Sequence, residues 1–150
     1  METIQKIKIG LGLALLGTIL GSFFGGQAQA ASRLYEDYGA VLTTYVNQPG
    51  LVNYRGLKAN PQRLNSFLST LADLPQETYR KWDDQEKIAW WINAYNALTL
   101  KAIIDHYPIR ASFFKGFVYP RNSIRQIPGV WDTLHFPVMG KKMTLDEIET

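Results

Sequence analysis

Residues Trp82 to Pro108 read W-D-D-Q-E-K-I-A-W-W-I-N-A-Y-N-A-L-T-L-K-A-I-I-D-H-Y-P. This stretch constrains the fold more than any other. At helical spacing its apolar residues cover most of the circumference, and a helix apolar on most sides belongs in a core. Asp83 is placed to cap its start, with Glu86 three residues on reaching back. Pro108 ends it near His106, because the residue before a proline avoids helical dihedrals. At 100° per residue Lys87, Ala94, Lys101 and Asp105 share a narrow strip, the expected solvent face. Trp91, Tyr95, Leu98 and Ala102 form another side, and Asn93, Asn96, Ala97, Leu100 and Ile104 a third.

The first thirty residues have a different character. Lys6 and Lys8 precede an apolar run from Ile9 to Phe24, followed by Gly25-Gly26-Gln27 and Ala28-Gln29-Ala30. Positive charge, a short apolar run and a small-x-small end are the pattern of a secretory signal peptide, with cleavage expected between Ala30 and Ala31. An uncleaved membrane anchor is the alternative, disfavoured by a run shorter than the roughly 20 residues of a span. Residues 1–30 are thus expected as a signal peptide and residues 31–150 as one domain of an exported protein, periplasmic or extracellular.

Of 16 Lys and Arg and 13 Asp and Glu, removing Lys6, Lys8 and Glu2 leaves 14 and 12, a net charge of +2. So balanced a charge gives no reason to expect a nucleic-acid partner, and any membrane association is expected only through export or the anchor. With no cysteine, disulfides, thiol nucleophiles and Cys-metal sites are excluded from this chain. Stability must come from packing, which four Trp, eight Tyr and the five Phe after residue 30 can supply.

Along the rest of the chain, Leu34, Tyr38, Val41, Leu42 and Tyr45 mark a helix over 32–47, broken by Gln48-Pro49-Gly50. Leu51 to Tyr54 reads as a short extended piece. Asn60-Pro61 reads as the N-cap and first position of a helix with the stripe Leu64, Phe67, Leu68, Leu71. Pro75 opens a short helix to Trp82. Ile109 to Gly129 is irregular and rich in aromatics. Trp131 to Met143 reads as a hairpin turning at Met139-Gly140. Thr144 and Glu147 form a capping box at the head of a final helix. So short a helix needs a partner, and the chain reads as interrupted inside it. Exposed apolar surface is therefore expected, with the hairpin and last helix lacking their partners.

Few residues suggest chemistry. Asn93 and Asn96 sit inside an apolar helix, where an amide must satisfy donors and acceptors. They read first as structural clamps, second as orienting groups of a catalytic site. His106 suits the negative end of the helix dipole. His135, three residues from Asp132, is the remaining catalytic candidate. Ser112 and Ser123 are the nearest possible nucleophiles, and neither lies in a nucleophile elbow. Asp83, Asp84 and Glu86 are explained by helix capping, so no metal site is expected. No glycine-rich phosphate loop occurs, so no cofactor is expected.

Val52-Asn53-Tyr54, W-I-N-A-Y-N-A-L-T-L over 91–100, Asp105-His106-Tyr107-Pro108, Ser123-Ile124, Val130-Trp131 and Gly140 leading to T-L-D-E-I-E over 144–149 together resemble the domain of unknown function 547 (DUF547) family. Asn53 stands where that family commonly has Asp. The resemblance implies an exported bacterial-type domain and no assigned reaction. It also implies a Cys-containing continuation, N-C-A-S followed by C-P, which this sequence lacks. The expectation is an α+β, mostly α domain around a buried helix at about 83–106, with a small β-hairpin at about 131–143. Its role is a binding or structural module of the cell envelope. The alternative is a hydrolase or transferase completed by residues beyond Thr150.

Overall fold

The computed structural model describes residues 25–109 and 123–149, with side chains from Leu34 onward. Its helices are α1 (Gly25–Tyr45), α2 (Tyr54–Ala59), α3 (Gln62–Asp73), α4 (Gln76–Arg80), α5 (Asp84–His106) and α6 (Leu145–Glu149). One antiparallel hairpin joins β1 (Phe136–Val138) to β2 (Lys141–Met143). The mostly helical α+β architecture is as expected. Residues 1–24 and the aromatic segment 110–122, with Ser112 in it, lie outside the described residues. The first turns of α1 contain Ala28, Ala30 and Ala31.

The central helix starts where its cap predicts. Asp83 Oδ1 accepts from the Glu86 amide at 2.8 Å, and Glu86 Oε2 accepts from the Asp83 amide at 2.9 Å. Two orphan donors at the helix head are thereby satisfied. At its other end the Tyr107–Pro108 peptide is cis, and His106 Nδ1 bonds the Ala102 carbonyl at 2.8 Å, the structural role its position suggested. Helices α2, α3 and α6 all pack on α5, and α1 packs on α2 and α3. Trp90, Ala94, Ala97 and Leu100 are fully enclosed.

The solvent strip is corrected. Ala94 is 0 % exposed, whereas Ile88 is 59 % and Ile92 42 % exposed. Neighbours bury Ala94, Ala97 to Leu100 and Ala102 to Ile104, while Lys101 and Asp105 keep part of their exposure, so no strip faces water along its whole length. Exposure is concentrated near the N-terminal half instead. Lys87 lies with its ammonium 5.9 Å from the Tyr79 ring centroid, which keeps its stem against protein.

Two local readings also change. Tyr54 opens a helical turn rather than ending an extended piece. Asn53 Oδ1 caps it by accepting from the Gly56 amide at 2.9 Å, a task that an Asp oxygen performs equally. Asn60 is the C-cap of α2, with its amide N–H on the Gly56 carbonyl, and Pro61 precedes α3 without a side-chain cap. The sequence Asn-Pro fits either end of a helix, and the short α2 decides between them.

The hairpin is shorter than 131–143, because Trp131 to Thr133 form a turn and Leu134 and His135 belong to no strand. Met139 (φ 48°) and Gly140 (φ 74°) occupy its two central positions with positive φ, the twist that two-residue hairpins favour. The Met139 and Gly140 amides donate to the Leu71 and Ala72 carbonyls at 2.8 and 2.9 Å. The turn thus satisfies carbonyls in the last turn of α3 that the helix itself leaves open.

The final helix likewise has a partner. Leu145 and Ile148 are buried, α6 packs on α5, and the Asp146 amide donates to the Trp131 carbonyl at 3.0 Å. The expectation that the hairpin and last helix lack partners is therefore overturned. The partners are α3 and α5, distant in sequence.

Glycine is required at two turns for different reasons. At Gly140 a Cβ meets nothing within 4 Å, so only the left-handed backbone opposes it. At Gly129 (φ 63°) a Cβ would lie 2.5 Å from Thr133 Cβ. Gly140→Ala is expected to cost about 1 kcal/mol, and Gly129→Ala about 2–3 kcal/mol because overpacking adds to backbone strain. Urea unfolding of the two variants checks the order.

Burial raises the Tyr38 and Tyr54 hydroxyls far above the usual 10.0. Each stays neutral in the fold, while the unfolded chain ionises near pH 10. Their contribution to stability is complete below pH 10 and is lost as pH rises through the raised folded values. Stability is expected to fall steeply above pH 10, and less steeply in Tyr38→Phe/Tyr54→Phe, as measured by urea midpoints across pH 8–11.

Candidate functional site

The hairpin, docked by its turn onto α3, faces α4 and the first half of α5 across a groove of about 490 Å³. Gln76, Tyr79 and Arg80 of α4 line one side, and Met139, Lys141, Lys142 and Met143 the other. Trp91 and Glu147 also contribute. Spaces of this size suit a small molecule.

Aromatic packing fixes the groove's shape. Tyr79 meets Trp82 edge-on at 5.6 Å and Trp91 at 6.2 Å, and Trp82 meets the fully buried Trp90 at 5.4 Å. These are the tilted arrangements ring quadrupoles favour. The Trp91 indole N–H donates to the Tyr79 hydroxyl at 2.9 Å. That hydroxyl keeps its own hydrogen to donate, and it meets no acceptor among the described residues.

The charged groups of the groove are not equivalent. Glu147 is committed to its capping box, with Oε2 accepting from the Thr144 amide at 2.8 Å and its own amide donating to Thr144 Oγ1 at 3.2 Å. Arg80 is paired with Glu77 at 2.8 Å, both well exposed, so the pair contributes little to stability. Lys141 and Lys142 are exposed on β2 and form no ion pair among the described residues. Their place in the sequence is that of solvated hairpin ends. It gives no sign that Met139 and Met143 beside them face Tyr79 across a groove that only hairpin docking creates.

A second recess of about 450 Å³ lies on the other side of α6, lined by Arg125, Ile127, Gly129, Val130, Trp131, Asp132 and Asp146. Arg125 and Asp146 are both engaged in interactions. Asp146 and Glu149 also act on Tyr95, whose hydroxyl is raised first by burial and then by these carboxylates.

The residues singled out from the sequence fall elsewhere. Asn93 is half-buried and hydrogen-bonds Tyr35 of α1; burial raises the Tyr35 hydroxyl and this bond partly offsets the rise. Asn93 thus ties α5 to α1. Asn96 is half-buried on the same helix. His135 is exposed, with Nδ1 on the Thr133 carbonyl at 2.8 Å. Asp132 accepts from the Thr133 hydroxyl at 3.1 Å, and Ser123 Oγ caps a short 3-10 turn by accepting from the Arg125 amide. Neither recess is lined by Asn93, Asn96 or His135. Among the described residues no three potential metal ligands gather and no helix is long and apolar enough to cross a membrane.

Residues 79–150 match the model of a family described as a protein of unknown function, DUF547. No curated protein and no solved structure matches the chain.

The Asn93–Tyr35 bond can be measured. Asn93→Ala and Tyr35→Phe are each expected to cost about 1 kcal/mol, and the double variant little more than either. Denaturant unfolding of the four proteins gives the coupling. Full additivity would show that no bond joins the pair.

Proposed function

We propose, for a chain that residues 79–150 make a member of the DUF547 family, that it is an exported binding module of the cell envelope whose recognition surface is the hairpin groove. The observation that carries this reading is the groove itself, an open recess with an aromatic side, two methionines and two lysines that form no ion pair among the described residues. Methionine suits recognition because its side chain adapts to the shape it meets. Lys6 and Lys8 before the apolar run Ile9–Phe24, then Ala28-Gln29-Ala30, support export.

Co-sedimentation of the purified chain with bacterial cell-envelope fractions tests the reading. The chain is expected to pellet with the envelope. Met143→Arg, which places a bulky cation in the groove, is expected to reduce the pelleted fraction at least severalfold. Retention unchanged by Met143→Arg, in a variant that unfolds like the parent, would remove the groove from the reading.

A further inference from the structure

We infer that the hairpin groove takes a small anionic molecule with an apolar body, its phosphate or carboxylate held by Lys141, Lys142 and the Tyr79 hydroxyl. The inference rests on the groove being a binding surface and adds the chemistry of what binds.

Three features of the groove converge on an anion. Lys141 and Lys142 of β2 both border the groove, which places two positive charges at or beside that wall with no ion pair to them among the described residues. Glu147, the one carboxylate of the lining, has its head on the Thr144 amide, so it does not bridge to them. Tyr79 supplies a donor of defined direction, because Trp91 Nε1 occupies an acceptor site on its oxygen and fixes the phenol in place. A negatively charged oxygen takes stronger hydrogen bonds than a neutral one. Such a group is therefore favoured over a neutral hydroxyl at this donor.

The remaining lining is apolar. Trp91, Met139 and Met143 offer a ring and two flexible thioethers, surfaces that gain by covering hydrocarbon. An inorganic anion would leave them wet. The recess is also bounded, at about 490 Å³, with exposed Glu77 beside Arg80 at its rim. That shape and charge fit one small molecule rather than the broad anionic plane of a lipid bilayer.

Calorimetric titration of the purified full chain with hexyl phosphate tests the inference, with inorganic phosphate, 1-hexanol and vesicles containing phosphatidylglycerol as comparisons. Hexyl phosphate is expected to bind at least tenfold more tightly than 1-hexanol or inorganic phosphate, and more weakly as salt rises. Lys141→Gln/Lys142→Gln is expected to weaken it on the order of tenfold. Tyr79→Phe is expected to weaken hexyl phosphate severalfold while leaving 1-hexanol unchanged, which a general loosening of the groove would not do. Equal affinity for hexyl phosphate and 1-hexanol would overturn the anion assignment. So would wild-type affinity in the double lysine variant. Binding to the vesicles without binding to hexyl phosphate would overturn the single-molecule assignment. In each case, envelope retention that Met143→Arg abolishes would leave the groove standing as a binding surface.

Discussion

Enclosing one helix is the constraint on which the rest of this structure depends. α5 carries apolar residues around most of its surface, and water is a poor neighbour for all of them. Three other helices, α2, α3 and α6, pack on it, and Trp90, Ala94, Ala97 and Leu100 are lost to solvent. Small residues at 94 and 97 let neighbours approach closely, while Trp90 fills the space nearer the helix head. The capping box at Asp83 and Glu86 fixes where this helix begins, and so fixes which faces Trp90 and Trp91 present.

The groove follows from that placement. Trp90 turns inward onto Trp82, and Trp91, about 100° further round, meets Tyr79. The opposite wall is brought up by the hairpin, whose turn amides bind the end of α3. Those bonds satisfy carbonyls that would otherwise lack partners, and they hold Lys141, Lys142 and Met143 across from α4. A stabilising contact between a turn and a helix end thus positions a candidate recognition surface.

Much of the fold was legible because its signals are local. Asp83 with Glu86, and Thr144 with Glu147, act over three residues and appear in the structure as read. Met139-Gly140 turns the hairpin as read, and Pro108 ends α5 as read. The errors arose where two neighbours compete. Asn60 fits the end of one helix as well as the start of the next. Ala94 shares a strip with two lysines, yet the elements packed on α5 bury it. Ile88 and Ile92 lie exposed on a helix that is apolar around most of its circumference. The candidate site was barely legible. Asn93, read as a buried amide, is half-buried and bonds Tyr35, but the groove draws its residues from α4, α5, the hairpin and α6, and no spacing in the chain relates Tyr79 to Met143.

The sequence by itself determined the helix at the centre with its cap and its stop, the capping box of the last helix, the hairpin turn and the family resemblance, because each rests on residues close along the chain. Tertiary structure alone decided which face of α5 meets water, what supports the hairpin and the last helix, and how Tyr79, Trp91, Lys141, Lys142 and Met143 come to line one groove. Those outcomes depend on burial and on hydrogen bonds between segments far apart in sequence, such as the Met139 amide on the Leu71 carbonyl. Such a bond exists only once the intervening chain has folded back.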